Sequence, residues 1–573
     1  MRAVRSTPFV VVGIVLTLAL AWFVWRSAPP ASAPPTSETP LVLQDGDDAL
    51  HTVMEGIYAA DRGVTPPTGY AIRGVIVPHH LTASATLASG IRMLSRQDVR
   101  GIILLSPDHF DGCPTLLCTG EVRFRTLFGD IEGSPTVRDI LTASSLVTDQ
   151  PELFAGEHGI RAVVPYIAHY LPGVSVTPVV VSQRLPWSAQ KDALRDLLYR
   201  ATGAGMVLAV SSDFSHYLPL DEADAMDELT AQALFAKDLD GIASLAPPDQ
   251  TDCPACLWAL ASVADAGRFY NPSVVAHSNS ARIIGETDLP ETTSHFAMVW
   301  YTDSPLNGDD LAVAGDVTVT RGVPRGPSDE VAAWWAGNGP RIVNLEGPIA
   351  RTCPSRDNPY LFCNASDDWS SVRDLASHWV VVNNHMFDLG DEGFAGTARL
   401  VREAGKIPVT ADGADAGEWR VFAVTETVNP VDGAAYARIA EEDEEVLATV
   451  RAADARVPTL VYVHGGAEYA VLASAENTAR WERFIDAGAD AVVVAHSHVP
   501  GDVVIYKERP IFRGLGNFMF DQYASVSTST ARTVRLRSAG DRVLFETLLS
   551  SVHASSQGTR ATGYPDDADA DPD

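Results

Sequence analysis

The sequence predicts an α/β chain with two successive domains behind an apolar N-terminal helix. Three observations lead there. Short β-branched runs alternate with amphipathic segments along most of the 573 residues. Several of those runs end directly on His, Asp, Glu or Asn. An uncharged stretch from Ser6 to Trp25 opens the chain, with Arg2 and Arg5 before it and Arg26 after it. The length exceeds one ordinary core, and alternating strands and helices imply layered α/β domains.

Residues 1–26 read as a short cytoplasmic N-terminus and a single transmembrane anchor, because about 20 apolar residues span a hydrocarbon core of about 30 Å. Trp22 and Trp25 suit the membrane interface, and the basic flank orients the remainder outward. The rival reading is a cleaved signal peptide processed near Ala31-Ser32-Ala33. Residues 27–45 include SAPPASAPPTSETP and read as a Pro-rich stalk. Residues 551–573 read as a disordered acidic tail. Lys and Arg number 42 against 73 Asp and Glu, a net charge of −31, which excludes a general nucleic-acid binder. The 6 cysteines form local pairs, Cys113/Cys118, Cys253/Cys256 and Cys353/Cys363, as expected in an oxidising compartment.

The first domain is expected over 46–304. Buried strands are predicted near 74–77, 101–105, 174–181 and 206–210, helices near 189–200 and 221–235, and a last strand over 295–301. Turn formers in DSPLNGDD mark the boundary. Pro78-His79-His80, Ser106-Pro107-Asp108-His109 and Ser211-Ser212-Asp213-Phe214-Ser215-His216 each follow a strand. Open α/β sheets bind ligands at the carboxyl ends of their strands, so His79, His109, Asp213 and His216 are expected to converge. Imidazole with carboxylate suits iron, zinc or copper.

These motifs, with Glu157-His158-Gly159-Ile160 and Val164-Pro165-Tyr166, resemble the Memo family, also called AmmeMemoRadiSam system protein B, over about 70–302. The resemblance implies a fold like that of class III extradiol dioxygenases, with iron or copper bound by His79, His109, Asp213, His216 and Cys253. Two fates stay open for Cys253: thiolate ligand, or disulfide partner of Cys256.

The second domain is expected over 305–550. Predicted strands end on Asp316, Asn344-Leu345-Glu346-Gly347-Pro348, Asn383-Asn384-His385, His464 and His496-Ser497-His498. That order of carboxylate, amide and imidazole suits a two-metal phosphoesterase, in which cations about 3.5–4 Å apart share a carboxylate. The motifs resemble the CapA family of capsule and poly-γ-glutamate synthesis over about 310–522. Its similarity to calcineurin-type metallophosphatases implies a β-sandwich flanked by helices. It further implies one metal on Asp316 and His498, another on Asn384, His464 and His496, and Glu346 bridging them. Two cations of the manganese, zinc or iron class are expected. His385 is the expected catalytic general acid, with Glu468 orienting His464. Asp388 is expected to fix the turn after His385, and Asn517 to satisfy backbone groups in a turn.

Together these readings predict a membrane-bound extracytoplasmic protein whose second half hydrolyses a phosphoester or amide of an exported polymer. Two alternatives stand beside it: a non-catalytic surface module, and an iron- or copper-dependent oxidoreductase in the first half.

Overall fold

The computed structural model describes residues 41–44, 50–203, 205–324, 326–354, 358, 360–426 and 444–551. In the first half the central strands are β1 (Ile72–Val77), β2 (Gly101–Pro107), β3 (Ser175–Val181) and β4 (Met206–Ser211). Two helices follow, α1 (Leu220–Phe235) and α2 (Pro254–Ala266), then β5 (Asn271–Asn279) and β6 (Thr292–Tyr301). Strands β1 to β4 are parallel and run side by side in the order β1, β4, β2, β3. Such strands are covered on both faces, and β2 and β4 are buried at every position. Gly74 in β1 is required by close approach: a Cβ there would sit 2.8 Å from Leu260 of α2.

Register sets up the edge where ligands gather. Val77 lies opposite Ser211, and Leu105 opposite Val210, so the residues just beyond these strands meet. Strand β6 is antiparallel to β1 and therefore starts at that same edge, delivering His295.

The second half holds two facing sheets. The first contains β7 (Leu311–Val317), β8 (Arg341–Leu345), β9 (His378–Val380) and Ile407–Val409 in parallel. The second contains β10 (Trp419–Thr425), β11 (Thr459–His464) and β12 (Ala491–Ala495), also parallel. The hairpin β13 (Thr530–Ala539) and β14 (Arg542–Ser551) completes the first sheet, with β13 antiparallel to β7. Tyr462 in β11 donates its hydroxyl proton to Ala314 O in β7 at 3.0 Å, tying the sheets together. Asp316 is the next-to-last residue of β7 and His464 the last of β11, so both sheets deliver polar groups to one edge.

The halves share a continuous apolar core that includes Ile72 and Tyr301 on one side and Val313, Tyr462 and Phe545 on the other. Tyr70 stacks on Phe545 at 5.6 Å, and its hydroxyl donates to Val543 O at 2.7 Å. Asp303 accepts from Asn271 Nδ2 and from Thr547 N, and Arg268 pairs with Glu546. Asp502 accepts from Val274 N at 2.7 Å. In helix α1, Glu228 accepts from Val471 N and Leu472 N at 2.7 and 3.2 Å, and Gln232 donates to Tyr469 O at 2.8 Å.

The expected fold class needs correction in its membrane element. The structure is mixed α/β with several sheets, and among the described residues no helix is long and apolar enough to cross a membrane. The stretch 1–26 that prompted the anchor, residues 27–40 of the stalk and residues 552–573 of the tail lie outside the described residues.

Candidate metal centres

At the first centre, the strand ends place His79, His109 and Asp213 around one space, Asp252 joins them from the loop ahead of α2, and His158 from the short helix His158–Arg161. His79 Nε2 lies 3.4 Å from Asp213 Oδ2 and 3.2 Å from Asp252 Oδ2. His109 Nε2 lies 4.0 Å from Asp252 Oδ2. The rings of His109 and His158 are 3.9 Å apart. The rings of His109 and His79 are each aimed through Nδ1. His109 Nδ1 pairs with Glu157 at 2.6 Å, and His79 Nδ1 with Ser211 Oγ at 3.1 Å. Such outer partners fix ring orientation and tautomer at metal sites. Asp213 Oδ1 faces His295 Nδ1 at 3.1 Å, and Asp252 Oδ1 accepts from Ser212 Oγ at 2.6 Å.

Burial drives His79 down to about 4, so its ring is neutral and free to donate a lone pair. Burial and the charge of Asp213 push Asp252 up to about 7. Asp213 itself is held low: burial opposes this, and His79 and His295 outweigh it. Two overlapping groups, His79 with Asp213 and Asp252 and His79 with His109 and His158, each with ligand atoms within 4.8 Å of one another, fit a bound cation.

Sequence reasoning chose His79, His109 and Asp213, and the structure brings them together. His216 lines the same cavity but stays outside the converging group, its Nδ1 buried without a hydrogen-bond partner. Cys253 caps helix α2 in a disulfide with Cys256 and so offers no thiolate. Disulfides also join Cys113 to Cys118 and Cys353 to Cys363. Two residues were missed. Asp252 directly precedes Cys253, and an acidic residue beside a suspected ligand was the available signal. His158 directly follows Glu157, and the Glu157-His158 pair was its signal.

At the second centre, Asp316, Glu346 and His498 offer ligand atoms to a common point, all buried. Glu346 Oε1 lies 3.8 Å from His385 Nε2 and 3.9 Å from His498 Nε2. Asp316 lies 3.7 Å from His464 Nδ1 and 3.6 Å from His498 Nδ1. The ring of His496 is 4.8 Å from that of His464, and its backbone N–H donates to Asp316 Oδ2. His496 and His498 adopt φ of 99° and 57°, sparsely populated values for side-chain-bearing residues and typical of functional strain. Gly315 admits no side chain, because a Cβ would sit 1.8 Å from Gly516 O.

Burial dominates the electrostatics here. It pushes Asp316 up to about 7 and Glu346 well above the usual carboxylate range. It drives His496 to about 4, His498 to about 3 and His464 well below its ordinary value. Both oxygens of Glu346 and Nδ1 of His496 are buried without a hydrogen-bond partner. Unpaired buried polar atoms are costly, and lone pairs facing one another fit divalent cations.

Asn384 Oδ1 faces His464 Nε2 at 2.9 Å, and Asn344 Nδ2 donates to Asp316 Oδ1 at 2.8 Å. Asn344, a motif residue with no role expected from the sequence, belongs to the ligand scaffold. Glu468 is exposed and makes no hydrogen bond to His464 among the described residues, so the two asparagines hold that ring in its place. Asp388 accepts from Phe362 N and faces His385 Nδ1, both at 2.7 Å. Asn517 Oδ1 faces His498 Nδ1 at 2.9 Å while its Nδ2 donates to Thr528 O, so it aims a ring as well as closing a turn. Phe362 stacks on His385 at 3.8 Å.

Comparison with known proteins matches the same two halves. The Memo-like protein family model covers residues 42–288, and that of the bacterial capsule synthesis protein PGA_cap covers 310–522. Curated relatives include a MEMO1 family protein of Pyrobaculum aerophilum, 24% identical over 246 residues, spanning 42% of this chain and 83% of the relative. One of Aeropyrum pernix is 26% identical over 229 residues, spanning 39% and 78%. Among solved structures, an uncharacterized protein, JW3007, of Escherichia coli K12 aligns at 14% identity over 40% of this chain and 99% of its own, with a TM-score of 0.28. That score is too low to bear on the fold. The family matches, in chain order with the two centres, make this protein a fusion of a Memo-like domain and a capsule-synthesis PGA_cap domain.

Proposed function

We propose that the second half is a metal-dependent hydrolase acting on a phosphoester or amide of an exported polymer. The observation that carries this is Glu346, whose two oxygens are buried without a hydrogen-bond partner and whose Oε1 faces both His385 and His498. Asp316 and His498 would hold one cation, and Asn384, His464 and His496 the other, with Glu346 between them. Bound divalent cations would supply Lewis acidity and a water of lowered pKa. The chain's own residues do the rest. Asn344, at His464 Nδ1, and Asn517, at His498 Nδ1, hold those two rings in place at the site. Asp388 engages His385 Nδ1 and leaves Nε2 to hand a proton to a leaving group. The family description, bacterial capsule synthesis, supports a polymer substrate.

The first half supplies a second ion site with mixed nitrogen and oxygen donors, the set that suits iron, zinc or copper. Three disulfides support an oxidising compartment.

The test uses the full chain, because the halves share a core. Metal content is measured by mass spectrometry, and hydrolysis with bis-p-nitrophenyl phosphate and a γ-glutamyl anilide. Loss of both metal and turnover in Asp316→Asn and His496→Ala supports the reading. A wild-type protein that binds metal at this centre yet cleaves neither substrate class would favour the non-catalytic module.

A further inference from the structure

A cavity of about 920 Å³ opens above the first centre. His79, His109, His158, Asp213 and Asp252 lie at its polar end. The rest of its wall is largely apolar, with Leu81, Phe110, Leu127, Phe128 and Tyr217 among the lining. Three of these side chains stand at the mouth, half or more exposed: Phe110 at 63%, Leu127 at 58% and Tyr217 at 65%. Large apolar side chains gathered around one opening mark a binding site.

The chain places them deliberately. Phe110 directly follows His109, and Tyr217 directly follows His216, so the strand ends that deliver polar groups also deliver the lip. Tyr217 is held at φ 60°, a left-handed conformation that costs about 1 kcal/mol for a residue with a side chain. Two polar groups on the wall suit a charged or chelating head. Arg161 brings a cation, and His216 brings a buried nitrogen without a hydrogen-bond partner.

We propose that this cavity binds an amphipathic small molecule, with a compact anionic or chelating head at the His/Asp cluster and an apolar body along Leu81, Phe110, Leu127 and Phe128. The size agrees with sites that bury most of a small ligand, which run from about 300 to 1,000 Å³. The chelating part rests on the reading that the cluster holds a metal ion, whereas the apolar part does not.

The experiment measures binding of acetohydroxamate, hexanohydroxamate and decanohydroxamate by calorimetry. The protein is the zinc-loaded full chain carrying Asp316→Asn, Glu346→Gln and His496→Ala, which takes a ligand from each proposed ion of the second centre and the carboxylate between them. Each buried methylene is worth about fourfold, so affinity rises about a hundredfold or more from acetohydroxamate to hexanohydroxamate. Phe110→Asp and Leu127→Asp each flatten that rise at unchanged zinc content. Affinity that ignores chain length, or a rise that neither variant alters, overturns the proposal. Repeating the series with alkyl alcohols on metal-stripped protein separates the two readings. A chain-length rise that persists there, with no zinc retained by the untreated protein, keeps the apolar site and sinks the metal centre.

Discussion

Replacing Glu346 by Gln changes one buried charge into a neutral amide of the same shape, and its effect on stability should depend on metal. Without cations, the side chain sits at 0% exposure with two unpartnered oxygens and a pKa pushed well above its usual range by burial. Gln removes any need to bury that charge, so the metal-free variant is at least as stable as metal-free wild type. With cations the order reverses. A ligand at 100 times its dissociation constant stabilises the folded state by about 2.7 kcal/mol. Unfolding entropy is about 2.1 cal/mol/K per residue, so for a chain of this length that gain is a rise of about 2 °C in Tm when the halves unfold together. The assay is calorimetric unfolding after EDTA dialysis, with and without manganese. Wild type shifts upward by about 2 °C more than Glu346→Gln, since manganese taken up at the first centre shifts both alike. An equal manganese shift in both proteins would refute the placement of Glu346 between the ions, whatever the catalytic result.

Burial raises the Asp303 carboxyl to about 6, above its unfolded value of 3.8. Its contribution to stability is thus fully present below pH 4 and lost as pH rises through 6, a swing of about 3 kcal/mol. Asp303→Asn should stabilise the protein by up to that amount at pH 8 and leave it unchanged near pH 4, as read by urea unfolding at both pH values. Glu228→Ala removes the acceptor for Val471 N and Leu472 N and should cost about 2 kcal/mol. Hydrogen exchange should quicken at those two amides, while the exposed Glu222→Ala changes neither. The double variant Cys253→Ser/Cys256→Ser should keep its metal, because the disulfide already withholds both sulfurs; a loss of bound metal in mass spectrometry would show thiolate ligation.

What the sequence made legible follows from strand geometry. A parallel strand ends where its apolar run ends, so His79, His109, Asp213, Asp316 and His464 could be placed at an edge before any coordinates. Residues reaching the centres from loops were harder to see. Asp252 arrives just ahead of helix α2 and lies 39 residues after Asp213, whose N–H it accepts. No periodicity announces such a contact. Asn344 points within a strand toward its neighbour's carboxylate, a position that reads as core. Glu468 illustrates the opposite failure: its motif position suggested a partner for His464, yet the chain turns at Tyr469, φ 60°, and leaves it exposed. The seam between the halves was invisible, since its donors and acceptors are scattered from Tyr70 to Thr547.

Helix α1 gives that seam a particular meaning. Its Asp227 accepts from Ser215, which lies between Asp213 and His216, while Glu228 and Gln232 grip the loop that carries Tyr469 past His498. One helical turn therefore braces the walls of two chemically different sites. A gene cut at the turn-rich boundary near residue 305 would yield a first fragment with an exposed row of unmet acceptors. The second fragment would carry a slack loop beside its own metal ligands. Part of the scaffold of the second site is thus lent by the first half, and the loop beside His498 depends on a helix that belongs to the other domain.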